Sequence, residues 1–113
     1  MYQIVFYSDK AGNESVKEFI LTLKNDTGAK PLLDKILLYI RILEDKGTWI
    51  GEPYVKHLVD GIWELRPSPV RILFCKDENG VFVLLHHFRK KTQKTPTKEL
   101  KIAMARKKDY FKR

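Results

Sequence analysis

Several features that mark large classes of proteins are missing from this sequence, or nearly so. It contains a single cysteine, Cys75, so an internal disulfide is excluded and a reducing compartment is expected. No apolar run approaches the roughly 20 residues that a transmembrane helix needs, and the first residues are strand-like rather than typical of a signal peptide. We therefore expect a cytoplasmic protein without membrane contact.

The signatures of several enzyme classes are missing as well. There is no glycine-rich phosphate-binding loop, no metal-ligand spacing of Cys or His, and no Gly-x-Ser-x-Gly nucleophile motif. His86 and His87 are adjacent in a predicted strand, where neighbouring side chains point to opposite faces, so they are poorly placed to chelate one ion. We expect neither a metal site nor a cofactor.

Positive charge is concentrated near the end of the chain. The 113 residues suffice for a single domain, residues 1–113, and carry a net charge of +8. Residues 86–113 hold eleven Lys or Arg against two acidic residues, a net charge of +9, whereas residues 1–85 have a net charge of −1. A local basic patch of this kind indicates a polyanion or an acidic protein as partner.

Three short runs rich in β-branched, aliphatic and aromatic residues predict consecutive antiparallel strands over residues 61–66, 70–75 and 81–88. A Pro-Ser-Pro segment joins the first two strands. Asn79-Gly80 predicts a two-residue hairpin loop between the second and third.

Apolar residues at helical spacing predict three helices around these strands. The second helix begins near Pro31 and ends at Gly47, and the third begins at Pro96 with Thr95 as its cap. The expected buried stripe of the second helix consists of Leu33, Ile36, Leu37, Ile40 and Leu43. The predicted fold is α+β: an N-terminal strand, a two-helix hairpin on one face of a mainly antiparallel sheet of four or five strands, and a basic C-terminal helix.

Pairing across the predicted turns gives the sheet two chemically different faces. If Leu65 lies opposite Ile72, alternation collects a polar set on the other face: Glu64, Arg66, Arg71, His86 and Phe88. We expect this polar face to be free of helices, with Arg71 open to solvent. A bulge in the last strand would exchange His86 for His87, so both remain candidates.

The polar set contains what metal-independent cleavage of RNA requires. A base takes the proton of the ribose 2′-OH, cations stabilise the charge that grows on the phosphate, and an acid protonates the leaving 5′ oxygen. Arg offers phosphate a bidentate, permanently charged fork, and Phe88 can stack on an unpaired base. The alternative is structural: Arg66 and Glu64 form a surface ion pair and Phe88 belongs to the core.

Three segments together resemble a known family. Gly61-Ile-Trp-Glu-Leu-Arg66, Arg71-Ile-Leu-Phe74 and Leu84-Leu-His-His-Phe-Arg-Lys-Lys-Thr-Gln-Lys-Thr-Pro96 are similar to the phage-derived, HigB-like branch of the RelE/ParE toxin superfamily. The resemblance implies a RelE-like fold and a type II toxin that cleaves mRNA in the ribosomal A site. It also implies a cognate helix-turn-helix antitoxin and a toxin–antitoxin hetero-oligomer.

The resemblance also suggests roles for individual residues. It places the phosphate-contacting Arg of RelE-like toxins at Arg71 and a cation at Lys90 or Lys91, whereas their lysines on the preceding strand and their C-terminal tyrosine have no counterpart. The catalytic candidates are therefore Arg71, Arg66, Glu64, His86, His87, Lys90 and Lys91. The RNA-binding candidates are Phe88, Arg89, Thr92, Lys94, Lys56 and His57.

Two other functions fit the same sequence. The superfamily includes ParE-type gyrase poisons, which share the fold without the ribonuclease residues. A basic module that only binds RNA or ribosomes would use the same surface without catalysis. The cluster of Arg, His and Lys favours the ribonuclease.

Overall fold

The computed structural model describes residues 1–113 and contains five strands and three α-helices. In chain order these are β1 (Ile4–Phe6), α1 (Ser15–Lys24), α2 (Lys30–Lys46), β2 (Val55–Val59), β3 (Ile62–Leu65), β4 (Val70–Lys76), β5 (Phe82–Arg89) and α3 (Thr97–Phe111). The strands form one sheet in the order β1-β5-β4-β3-β2, in which only β1 and β5 are parallel. The predicted α+β architecture is confirmed.

The register between β3 and β4 is the predicted one. Trp63 pairs with Phe74 and Leu65 with Ile72, so Glu64 pairs with Leu73 on the opposite face. Because side chains alternate along a strand, this register separates an apolar set from the polar set.

The loop between β4 and β5 differs from the prediction. It has three residues, because the Asp77 amide donates to the Val81 carbonyl at 2.9 Å and Gly80 adopts a φ of 80°. Phe74 consequently pairs with Leu84 rather than with Leu85. A second irregularity at Leu85 shifts the register back.

The two shifts in β5 cancel at the far end of the strand. Leu73 pairs with His86, and Arg71 pairs with Phe88 as predicted. His86 and Phe88 therefore share the face of Arg71, whereas His87 lies on the other face, opposite Ile72.

Two apolar cores lie on opposite faces of the sheet. The α1/α2 face carries the larger core, in which Leu65, Ile72 and Phe74 pack against Ile20 and Ile36 of the two helices. The α3 face carries a smaller core, formed mainly by Ile62, Leu73, Cys75, Val83, Leu85 and Ala103. The expectation that the polar face is free of helices is therefore wrong, because α3 covers its apolar half.

The end of α2 follows the predicted signal, whereas the start of α3 differs from the prediction by one residue. α2 ends at Gly47, whose φ of 64° favours glycine and where a Cβ would lie 2.7 Å from the Tyr2 ring. The N-cap of α3 is Pro96 instead of Thr95, whose hydroxyl is used elsewhere. Leu37, expected in the buried stripe of α2, is 41% exposed. None of the helices is long and apolar enough to cross a bilayer.

Candidate functional site

Glu64 is the centre of a buried ionic cluster on the α3 face. It occupies the middle of β3 and is only 3% exposed. Its Oε1 lies 3.4 Å from Nε of Arg66 and 3.7 Å from Nε of Arg71. Its Oε2 accepts a 2.7 Å hydrogen bond from the hydroxyl of Thr95. Two cations and one hydroxyl therefore compensate a single buried carboxylate.

The two arginines of the cluster differ in exposure. Arg71 is 5% exposed, so the expectation that it is open to solvent is wrong. Burial lowers the pKa of Arg71, and the Glu64 carboxylate partly offsets that effect. Nη1 of Arg71 donates to the carbonyl of its neighbour Val70 at 3.3 Å. The Arg71 side chain therefore lies inside the cluster, next to Glu64, and is almost inaccessible to solvent.

Arg66 faces the solvent side of the same cluster. Its Nη1 lies 3.2 Å from Oε1 of Glu52, whose side chain is largely exposed. Its Nε is buried and has no hydrogen-bond partner. An unsatisfied buried donor is uncommon and costs free energy, and here the Glu64 carboxylate 3.4 Å away compensates the charge of Arg66 without a hydrogen bond to Nε.

A cleft of about 320 Å³ opens above the cluster. Glu64 and Arg66 line it, residues 56–59 of β2 form one wall, and Gln93, Lys94 and Thr95 form another. Lys56 lies opposite Glu64 in the register between β2 and β3, and its side chain is exposed. The cleft is thus lined by cationic side chains, and the Glu64 carboxylate on its inner surface already has partners in Thr95 and Arg66.

A second cleft, of about 350 Å³, involves the start of α3. Its lining residues are Phe88, Arg89, Lys91, Pro96, Lys98 and Glu99. The segment 90–96, which links β5 to α3, contributes to both clefts. The amide of Lys90 donates to the Pro69 carbonyl at 2.8 Å, which ties the start of that segment to the Pro-Ser-Pro turn.

The remaining candidates at the end of β5 and in the linking segment are mostly exposed cations, together with one threonine that forms a local hydrogen bond. Arg89, Lys91 and Lys94 are exposed, and Lys90 is partly buried. The Thr92 hydroxyl donates to the Lys94 carbonyl at 2.7 Å. Together these residues make the edge of both clefts positively charged.

His86 belongs to a second polar cluster beneath α3. Its Nε2 lies 2.7 Å from Oε1 of Glu99, and its Nδ1 lies 3.4 Å from Nη1 of Arg106. Since a carboxylate can only accept, Nε2 of His86 donates to Glu99, which leaves Nδ1 of the neutral ring as the acceptor facing Arg106. Burial lowers the pKa of His86, although the hydrogen bond to Glu99 acts in the opposite direction.

Arg106 connects this cluster to two other elements. Its Nη1 donates to the Leu85 carbonyl at 2.8 Å and to the Ser15 hydroxyl at 2.9 Å, which joins α3 to β5 and to the start of α1. Neither Arg106 nor Glu99 is among the site residues predicted from the sequence. Their separation of seven residues, which puts both on one side of a helix, was the available signal.

Two of the histidine candidates have their rings on the α1/α2 face of the sheet, although residue His57 also lines the cationic cleft. His87 stacks on Phe19 of α1 with ring centres 4.2 Å apart, and burial lowers its pKa to about 4. The His57 ring packs edge-on against Trp63, on the α1/α2 face, with ring centres 5.0 Å apart. The structure therefore brings Glu64, Arg66 and Arg71 together but not the imidazoles.

Comparison with known proteins adds one decisive match. The model of the phage-derived protein Gp49-like family (DUF891) matches residues 18–108. The chain belongs to this family. The Gp49-like family is phage-derived and toxin-like, and it is part of the RelE/HigB-like toxin superfamily. No curated protein matches the sequence.

The matched region contains both clefts. It runs from α1 to the last turn of α3, so Glu64, Arg66, Arg71 and the linking segment all fall within the Gp49-like match. Membership in this family is consistent with a toxin of a toxin–antitoxin system and suggests an antitoxin as partner.

Proposed function

We propose that this protein is a HigB-like toxin of a type II toxin–antitoxin system that cleaves mRNA in the ribosomal A site without a metal ion. The whole chain, residues 1–113, acts as one cytoplasmic toxin domain. A helix-turn-helix antitoxin neutralises it in a hetero-oligomer. The observation that carries this proposal is the convergence of Arg66 and Arg71 on one buried carboxylate, Glu64, beside a cleft with a lysine-rich edge.

Arg66 is the proposed phosphate ligand. Arg66 lines the cleft, and its Nη1 lies against a carboxylate, that of Glu52, which is itself largely exposed. A guanidinium stabilises the charge that accumulates on the phosphate as the 2′ oxygen attacks. Lys56 and Lys94 extend from opposite walls of the cleft, where their ammonium groups can protonate the leaving 5′ oxygen.

Glu64 is the proposed general base. The Thr95 hydroxyl donates to Glu64 Oε2 at 2.7 Å, and a ribose 2′-OH is the same kind of donor. If the ribose 2′-OH replaced the Thr95 hydroxyl, the attacking oxygen would lie next to the Glu64 carboxylate. Arg71 then acts as a positioning residue, because its Nε lies on the other oxygen of Glu64 and its side chain does not line the cleft.

One observation favours a second candidate, an RNA- or ribosome-binding module without catalysis. Both oxygens of Glu64 already have partners, and all three imidazoles are engaged elsewhere, with Glu99, Phe19 or Trp63. In that case the cationic clefts would bind RNA, and the ionic cluster would only hold the fold together.

The two functions are separated by inducing the protein in bacteria and mapping the 5′ ends of mRNA. We expect growth arrest with mRNA cut mainly during translation. Glu64→Gln should lower cleavage by about 100-fold or more, the usual contribution of a general base. Glu78→Gln, an exposed carboxylate in the β4–β5 loop, is the matched control and should cleave normally.

Each of the other outcomes would indicate a different function for this protein. Growth arrest with intact mRNA and accumulating gyrase-dependent DNA breaks would make it a ParE-type toxin. Ribosome association without mRNA cleavage would leave the binding module. Full cleavage by the Glu64→Gln variant would remove Glu64 from the mechanism.

A further inference from the structure

Glu99 presents an unpartnered carboxylate oxygen at the second cleft. Its Oε1 is bonded to His86, whereas Oε2 has no hydrogen-bond partner in the protein and is not sealed from solvent. The side chain is 14% exposed and lines the cleft of about 350 Å³ together with Phe88. This volume lies in the range of about 300–1,000 Å³ that is typical of small-ligand sites.

The carboxylate is held in place by a chain of hydrogen bonds. Nε2 of His86 donates to Glu99 at 2.7 Å, and Nη1 of Arg106 lies 3.4 Å from Nδ1 on the other side of the ring. Arg106 is itself fixed by the Leu85 carbonyl and the Ser15 hydroxyl. A group oriented in this way can discriminate between ligands, because it does not swing to accommodate a poor partner.

An aromatic ring and three cations complete the site. The Phe88 ring is partly buried and stacks on His86 with ring centres 6.1 Å apart, so its position is also defined. Arg89, Lys91 and Lys98 line the same cleft. An aromatic ring beside backbone-binding cations is the arrangement that grips an unpaired base of single-stranded RNA.

We propose that this cleft is a guanine-selective base subsite in which Phe88 stacks on the base and Glu99 reads its Watson–Crick edge. A carboxylate only accepts hydrogen bonds, and each of its oxygens has two lone pairs, so the bond from His86 leaves room for a ligand. Guanine offers two adjacent donors there, N1–H and the 2-amino group. Adenine, cytosine and uracil each place an acceptor next to their donor.

This subsite deepens the proposed function, since it names a base preference for the RNA, but its test does not require cleavage. The probes are pentanucleotides of the form UUXUU, with guanine, adenine, cytosine, uracil or hypoxanthine at X. Their dissociation constants are measured by fluorescence anisotropy at one fixed salt concentration. We expect the guanine oligomer to bind at least about tenfold more tightly than the other three standard oligomers.

Hypoxanthine tests the 2-amino contact on the unmodified protein. It keeps N1–H and loses the 2-amino group, so its oligomer should bind with intermediate affinity. The variant Glu99→Gln should reduce the guanine preference to less than about threefold while retaining general affinity, because the cations remain. Glu78→Gln removes the same charge at a distant exposed position and should keep the full preference.

Failure of the subsite and failure of the proposed ribonuclease give different results. Equal affinity for all five oligomers, no binding of any of them, or a guanine preference that survives Glu99→Gln would each overturn the subsite. Those results leave the mRNA cleavage test untouched. Guanine-selective binding that Glu99→Gln abolishes supports the subsite even if no mRNA is cut.

Discussion

The hydroxyl of Thr95 donates a 2.7 Å hydrogen bond to Oε2 of Glu64, although 31 positions separate the two residues. The bond ties the segment before α3 to the middle of the sheet, and it completes the partners of a carboxylate that is 3% exposed. The contact also directs the Thr95 side chain toward the sheet, and Pro96, which has an extended conformation, occupies the N-cap position of α3.

Replacing Thr95 by Val tests the strength of this contact. The variant keeps the shape of the side chain but leaves Oε2 without its donor, so the free energy of unfolding should fall by about 1–2 kcal/mol. Urea denaturation measures the change. Thr95→Ser retains the hydroxyl and should lose less than half as much, and equal losses for the two variants would contradict the role of the hydrogen bond.

Arg71→Met tests whether the arginine is primarily a partner for Glu64. The substitution leaves a buried carboxylate with one cation fewer, and we expect the free energy of unfolding to fall by about 3 kcal/mol. Arg41→Met, at an exposed position of α2, is the matched control and should change stability by less than about 0.5 kcal/mol.

The coupling between Arg71 and Glu64 can be measured directly. In a double-mutant cycle, Glu64→Gln should relieve part of the cost of Arg71→Met, since the uncharged amide needs less compensation. Additive effects within about 0.3 kcal/mol would show that the two side chains, 3.7 Å apart, do not interact.

Stability should decrease in mild acid because of His87. Burial against Phe19 lowers the pKa of His87 to about 4, below its value of about 6.5 in the unfolded chain. Between these values the unfolded chain binds a proton that the folded protein does not. Stability is therefore full above pH 6.5 and is lost as the pH falls toward 4.

The variant His87→Phe preserves the stacking and removes the titrating group. Wild type should lose roughly 1–2 kcal/mol more than this variant between pH 7 and pH 5, measured by urea denaturation at each pH. Burial also lowers the pKa of His86, so the variant will keep part of the dependence. An unchanged pH profile for His87→Phe would refute the assignment.

Cys75 should be unreactive in the folded protein. It is fully buried in the core of the α3 face, and burial raises the pKa of its thiol to about 11. Since the thiolate is the reactive form, labelling by a disulfide reagent at pH 8 should be at least about 100-fold slower than in the denatured chain. Rapid stoichiometric labelling without denaturant would show that α3 detaches readily from the sheet.

Local sequence signals predicted most of the architecture. The alternation in residues 62–65 and 70–76 was sufficient for the β3–β4 register, because a one-residue slip would move Leu65 and Ile72 out of the core. The end of α2 at Gly47 also followed from residue type. The three-residue loop before β5 was not predicted, since Asn-Gly is compatible with more than one hairpin geometry.

The candidate site was predicted only in part. Alternation correctly grouped Glu64, Arg66 and Arg71, but it carries no information on what covers a face. The docking of α3 decided that Arg106 and Glu99 would meet His86, and the segment before α3 decided that Thr95 would reach Glu64.

By itself, the sequence determined which side chains share each face of the sheet and where the positive charge is concentrated, because strand alternation and composition are local properties. Only the tertiary structure decided which of those side chains are buried, which oxygen of each carboxylate is occupied, and which histidine faces α3. These depend on how elements distant in the chain pack together, and the free energy of that packing is not contained in any short stretch of residues.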